Sequence, residues 1–302
     1  MSHNHTHAPK NYNLSFAIGI ALNVSFVIVE LFYGVLADSI ALIADAWHNL
    51  SDVLSLVLAW GASYLASKAA TPRRTYGLRR LTILASLFSS ILLLIALGGI
   101  AWESIERLFS PDPVKGYVVI TVAAIGVIIN TITALLFVSG QKHDLNLRAA
   151  YLHMAADAGI SFGVVLAGIA IVFTGWLWLD PVISLLIVLV VLVGTWNLLK
   201  DSLNLSIDAV PKDIDIVDVI EYLNALDGVS QIHDLHVWAL STRQNALSVH
   251  LVRSEEITDN TFLQAIQEHL HHEFNIGHAT IQVEKEDSSH SCSLNHSQCS
   301  QA

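Results

Sequence analysis

Cysteine is almost missing from this chain. Of 302 residues only Cys292 and Cys299 are cysteine, both near the C-terminal end. Two cysteines so placed make no disulfide framework, and a cytosolic tail keeps them reduced. Charge is scarce too: Asp, Glu, Lys and Arg make up 14% of the chain, with 15 basic residues against 26 acidic ones. No basic stripe runs along any segment, so no nucleic-acid partner is expected. A secretory signal is not evident, because the first apolar run is too long for an h-region and lacks a small-x-small cleavage site. No His-Glu-x-x-His occurs, which argues against an intramembrane metallohydrolase. No output module accompanies the apolar part, which argues against a membrane-bound metal sensor.

Apolar residues are what the chain has in quantity. They make up 53% of it, and mean hydropathy is +0.55. That composition reads as a polytopic membrane protein with a modest soluble part. The net charge of −11 is uneven, most of the acid falling after residue 200. Histidine, the commonest metal ligand, occurs 15 times.

Six apolar spans follow from the pattern, at about 14–36, 39–67, 81–109, 114–139, 149–174 and 181–199. The first carries Asn23 and Glu30 on one helix face. Glu103 and Arg107 close the third as an i,i+4 pair, Pro111-Asp112-Pro113 forces a turn, and Trp176 and Trp178 sit where an aromatic belt belongs. The loop after the second span holds Lys68, Arg73, Arg74, Arg79 and Arg80 and no acid. The loop after the fourth holds Lys142, His143 and Arg148. The positive-inside rule makes both loops, and hence both termini, cytoplasmic.

From about Val210 the pattern changes to α-β-β-α-β, a small α+β domain with helices on one face of a sheet. Strand alternation buries Leu247, Val249 and Leu251 and turns Ser248 and His250 the other way. The expected organisation is an all-α six-helix transmembrane domain at 13–200, a linker at 201–209, and a cytoplasmic α+β domain at 210–286. Tails at 1–12 and 287–302 are expected to be disordered. His3, His5 and His7 in the first, and His290, Cys292, His296 and Cys299 in the second, either capture metal or are inert. His269, His271 and His272 on the second soluble helix read as a solvated face or as recruits to a metal site.

Chemistry concentrates in the second and fifth spans. His48 and Asp52 are four apart and stack about one helical turn, roughly 5.4 Å, from each other. His153 and Asp157 repeat the spacing. Buried ionisable residues in a membrane are costly and mark a pathway, so two such pairs are expected to converge on one cation. Two imidazoles and two carboxylates suit Zn2+ better than Mg2+ or Ca2+, and the carboxylates balance its charge. Without a thiolate the site releases its ion more readily than a Cys-rich one, and protons compete with metal for the histidines. Asp45 shares the His48 face and is either an accessory carboxylate or a plain helix-face contact. Asp52 is far in sequence from the basic loop after its span, whereas His153 follows closely on Arg148. Convergence therefore requires helix 5 to start deep or helix 2 to extend past the membrane.

Several stretches together resemble the cation diffusion facilitator family, in its bacterial zinc-efflux branch. They are Ser39-Ile40-Ala41-Leu42 leading into Asp45, His48 and Asp52; Thr75-Tyr76-Gly77 with Arg80; Asn146 before His153 and Asp157; and His233-Asp234-Leu235-His236-Val237-Trp238. The resemblance covers about residues 14–286. It implies six helices, a metallochaperone-like cytoplasmic domain, and a homodimer in the bacterial inner membrane. It also implies export of zinc in exchange for protons by alternating access, and so no enzyme activity. His48, Asp52, His153 and Asp157 become the transport site, and a histidine leading the helix-2 pair is associated with zinc over cadmium. A cytosolic metal site is implied at His233, His250 and Glu284. Zn2+ is then substrate and regulatory ligand, lipid and protons are the other partners, and no organic cofactor is expected. Thr82 and Ser89 stand where many relatives have a glutamate and an asparagine. The loop at 68–74 lacks the ligands of a further site that some relatives carry there, and the long histidine-rich loop of eukaryotic relatives is reduced to His143.

Overall fold

The structure is a computed structural model that describes residues 13–138, 145–253 and 260–285. The tail residues and His143 named above lie outside them. Six long helices come first: α1 (Asn13–Ala37), α2 (Ile40–Ala66), α3 (Leu81–Phe109), α4 (Gly116–Phe137), α5 (Leu145–Thr174) and α6 (Leu179–Ser206). Then follow α7 (Ile216–Asn224), β1 (Val229–Ser241), β2 (Gln244–Arg253), α8 (Asn260–Phe274) and β3 (Ile276–Lys285). Two compact units result. One draws on the chain up to Val57 and on Ser89–Trp196, the other on Leu58–Phe88 and the chain from Asn197 onward. The cut therefore falls within α2, α3 and α6. α6 also runs on to Ser206, so the expected linker begins as helix.

Four helical stretches among the described residues are long and apolar enough to cross a membrane: Leu81–Phe109, Gly116–Leu136, Tyr151–Thr174 and Leu179–Ser206. Ala21–Ala37 is a shorter apolar helix. α2, which carries Asp45, His48, Asn49 and Asp52, is not among the four.

In the first unit, α1 ends where Asp38 takes a left-handed φ of 60° and Ser39 N–H returns to the Gly34 carbonyl at 3.1 Å. α2 starts at once, and its exposed N–H groups need acceptors. Asp180, buried at the head of α6, supplies them: its carboxylate accepts from Ile40 N–H at 2.7 Å, from Ala41 N–H at 3.4 Å, and from the Ser39 hydroxyl. The Ser39 oxygen in turn accepts from Leu42 N–H at 3.3 Å. α4 lies close against α1 and α5 because glycine faces both. A Cβ at Gly126 would meet the Phe26 ring at 2.6 Å and the Ser161 hydroxyl at 3.2 Å. Arg107 joins Glu103 at 2.9 Å, as the i,i+4 spacing predicts, and also reaches Asp38. Trp176 and Trp178 stack with centroids 5.9 Å apart.

In the second unit, Asp215 caps α7 by accepting from Val217 N–H at 2.9 Å. The sheet has the order β1-β2-β3, antiparallel between β1 and β2 and parallel between β2 and β3. Its apolar face packs Leu247, Val249 and Leu251 against Val219, Leu223, Ile266 and Leu270. Leu247 is fully buried on the central strand. Leu247→Ala is expected to lower the opening free energy of the β1–β3 amides by about 3 kcal/mol. Hydrogen exchange on the full chain reads this directly, and a drop below about 1 kcal/mol contradicts the core assignment.

Candidate metal centre

His48 lies on α2 one turn before Asp52, and His153 on α5 one turn before Asp157. The helices face each other so that the four side chains close a ring of alternating bases and acids. His48 Nε2 is 3.2 Å from Asp157 Oδ1 and 3.9 Å from Asp52 Oδ2. His153 Nε2 is 3.2 Å from Asp52 Oδ2 and 3.7 Å from Asp157 Oδ2. A tetrahedral zinc with bonds of 2.0–2.2 Å holds its donor atoms about 3.4 Å apart, which is the scale of these four edges. His48, Asp52 and Asp157 each offer one donor atom within 4.8 Å of the others. His153 completes the ring from its more open side. Exposure grades across it: the Asp157 and His48 side chains are 2% and 14% accessible, those of Asp52 and His153 33% and 43%. Asp157 and His48 are the inner members of the ring, Asp52 and His153 the outer ones.

α5 begins at Leu145, eight residues before His153, and α2 continues to Ala66, fourteen beyond Asp52. α2 therefore extends further past the ring than α5 does.

Asp45 is outside the ring but not on an idle face. It is fully buried, and its Oδ2 accepts from the Ser161 hydroxyl on α5 at 2.9 Å. Glu30 on α1, also fully buried, accepts from Asn49 Nδ2 at 3.2 Å. Glu30 and Asp45 face each other and share a carboxyl–carboxylate hydrogen bond. The site thus has a polar backing of Glu30, Asp45, Asn49 and Ser161. Residue reading found Glu30 only as a helix-face neighbour of Asn23 and missed Asn49 and Ser161. The available signal was that Glu30 is a second carboxylate within an apolar helix. Thr82, one of the departures from the family pattern, is buried and makes structural bonds: its hydroxyl donates to the Arg79 carbonyl at 3.0 Å and accepts from Thr242 N–H at 3.1 Å. Ser89 is buried in α3.

A second cluster forms on the sheet. His233 and His250 are cross-strand partners, their rings 4.9 Å apart. Glu284 of β3 reaches both, with Oε2 3.2 Å from His233 Nε2 and Oε1 2.9 Å from His250 Nδ1. Asp234 and His236 belong to the same cluster and were missed as members. Asp234 Oδ1 lies 3.0 Å from His236 Nε2, and Oδ2 lies 3.6 Å from His250 Nε2. Regular alternation would put Asp234 and His233 on opposite faces. A register shift between His233 and His236, with Asp234 at φ 51°, brings them together. His269, His271 and His272 are exposed, and His269 stacks on the Tyr222 ring at 3.9 Å.

Burial alone would raise the Glu284 carboxyl, but the Gln282 hydrogen bond and the contacts with His233 and His250 outweigh it and hold it below its ordinary value. A depressed carboxyl adds stability above its unfolded value, about 4.3, and loses it as pH falls through the folded value. The metal-free chain should therefore lose β3 protection on acidification below about pH 4. Glu284→Gln should flatten that loss, as hydrogen exchange at stepped pH will show; an unchanged acid slope contradicts the assignment.

Four membrane-length helices, a His2Asp2 ring between α2 and α5, and a small α+β domain after them fit a membrane cation transporter. The chain belongs to the cation efflux family: residues 16–205 match the cation efflux transmembrane domain and residues 211–286 the cytoplasmic domain of cation efflux proteins. It is 40% identical to the metal cation efflux system protein CzcD of Cupriavidus metallidurans, over 93% of this chain and 89% of that one. It is 36% identical to a cadmium, cobalt and zinc/H(+)-K(+) antiporter of Bacillus subtilis, over 96% and 94% of the two chains. Identity to the zinc transporter ZitB of Escherichia coli is 35%, over 94% and 92%. Among solved structures, the metal-bound C-terminal domain of the CzcD transporter aligns with 24% of this chain and 99% of its own, at 35% identity and a TM-score of 0.22.

Proposed function

We propose that this protein exports Zn2+ from the cytoplasm in exchange for protons, by alternating access at the His48–Asp157–His153–Asp52 ring. The observation that carries the reading is the ring itself, two imidazoles and two carboxylates on two helices with neighbouring N···O distances of 3.2 to 3.9 Å. Two carboxylates offset the divalent charge and lower the cost of holding it in a low-dielectric setting. Each imidazole binds metal only when its donor nitrogen is unprotonated, so protons arriving from one side displace zinc there. All six long helices span the bilayer of a bacterial inner membrane, α1 and α2 included, with both termini cytoplasmic. Residues 13–200 are the transport domain, 201–209 the linker, and 210–286 a cytoplasmic domain through which two copies pair. His233, His250 and Glu284, with Asp234 and His236, hold a regulatory zinc there. No organic cofactor or catalytic step is required.

Support for zinc over other metals comes from the donors, since Mn2+ and hard cations favour all-oxygen shells and no thiolate is present to favour softer ions. Of the three relatives named above, two carry zinc in their names and one of these also cadmium and cobalt. Proteoliposomes loaded at acidic pH should take up zinc faster than cadmium or manganese. Faster entry of either competitor overturns the substrate assignment.

A further inference from the structure

Away from the two metal clusters, unpaired positive charge gathers at one place in the second unit. A cleft of about 610 Å³ lies between the loop after α2 and the β1–β2 turn. Lys68, Arg79 and Arg243 line it together with His278, and no Asp or Glu does. In a chain of net charge −11 this is a local reversal of sign. Of the nearby cations, Arg80 pairs with Asp208 and Lys212 with Asp201, whereas Arg73 and Arg74 lie exposed outside the cleft. Among the described residues Lys68, Arg79 and Arg243 form no ion pair; Lys68 instead sits 5.4 Å from the Tyr64 ring centre.

The cleft has a fixed frame. Thr71 and Arg74 exchange backbone hydrogen bonds at 3.1 and 2.9 Å, and Gly77 N–H bonds the Arg74 carbonyl at 2.8 Å. Gly77 has φ +71°, a left-handed turn that glycine adopts without strain. The buried Thr82 hydroxyl ties the two walls together. It donates to the Arg79 carbonyl and accepts from Thr242 N–H, next to Arg243. Tyr76 stands edge-on to His278 at 5.8 Å. Arg79 and Arg243, from distant parts of the chain, thereby line one concave surface.

We propose that this cleft binds a phosphate group, Arg79 and Arg243 pairing with its oxygens and Lys68 adding charge. Guanidinium forks match phosphate geometry. Lys68 is two residues past the end of α2, and Arg79 is two residues before α3, a helix long enough to cross a membrane. The phosphate source at that height is an anionic phospholipid headgroup, which basic residues beside a membrane span attract. The lipid source rests on the membrane reading given under the proposed function; the phosphate chemistry rests on the cleft alone.

The test uses the full chain purified in uncharged detergent. Binding is measured for short-chain phosphatidylglycerol, for phosphatidylcholine and for inorganic phosphate. Arg79→Gln with Arg243→Gln should weaken phosphatidylglycerol binding roughly tenfold or more. Arg73→Gln with Arg74→Gln removes equal charge from exposed positions that do not line the cleft, and should leave binding nearly unchanged. Arg243→Gln alone, at an exposed turn, gives the same direction if the double variant fails to fold. Inorganic phosphate should compete with phosphatidylglycerol, whereas phosphatidylcholine should bind weakly. Cleft-dependent binding of inorganic phosphate without phosphatidylglycerol binding supports the site and makes its ligand a soluble phosphate. Equal losses in the cleft and control pairs, or no dependence on Arg79 and Arg243, overturn the proposal. None of these readouts uses zinc flux, so failure here is distinguishable from failure of the transport reading.

Discussion

Asp157→Asn is expected to reduce proton-driven zinc uptake into proteoliposomes by about 100-fold or more. Asp157 is the ring member shared most closely by both histidines, with one oxygen 3.2 Å from His48 and the other 3.7 Å from His153. It is almost wholly buried. Asparagine keeps the shape and removes the charge. Zinc then meets one carboxylate where two had balanced it, and the uncompensated charge is costly to bury. Asp45→Asn is the informative comparison. Asp45 backs the site through Ser161 and is not placed in the ring, so its loss should slow uptake by less than about tenfold. If Asp45→Asn is as severe as Asp157→Asn, Asp45 belongs among the ligands. If Asp157→Asn transports at the wild-type rate, the ring is not the transport site.

Asp180→Ala should be the most damaging substitution outside the ring. The Asp180 carboxylate is the acceptor for two N–H groups at the start of α2 and for the Ser39 hydroxyl, all in a buried setting. Removing it leaves several buried donors without a partner. With the lost cap, the cost is roughly 3 kcal/mol or more. α2 carries His48 and Asp52, so a loosened start also misplaces half of the ring, and zinc uptake should fall with stability. Asp180→Asn keeps one acceptor oxygen and should recover part of both. A thermal melt of the solubilised chain with a parallel uptake assay reads the two together. An unchanged melt for the alanine variant contradicts the capping role.

The parts of this protein that could be read from residues are those fixed by local periodicity. Hydropathy marks the long helices because a membrane-length helix must be apolar over most of its surface. The two His-x-x-x-Asp pairs could be paired in advance because i and i+4 share a face on any helix. Leu247, Val249 and Leu251 followed from the two-residue repeat of β2. What escaped depends on which elements meet, or on a break in periodicity. Nothing local to Asp180 says that it caps a helix some 140 residues earlier. Glu30, Asn49 and Ser161 become one polar backing only when α1, α2 and α5 are packed. Asp234 joins His250 because of a left-handed residue within a strand, and an alternation rule assumes no such residue. Thr82, read as a departure from a family pattern, holds the loop after α2 to the β1–β2 turn through contacts between residues 160 positions apart.

We propose that zinc and protons exchange at one ring of two histidines and two aspartates. Simultaneous recording of zinc and internal pH in proteoliposomes with an acidic interior tests it most directly. Zinc should accumulate while the interior alkalinises, and both signals should vanish when the pH gradient is collapsed or Asp157 is replaced by asparagine. Zinc entry at the same rate with the gradient collapsed, and without any internal pH change, would contradict the account.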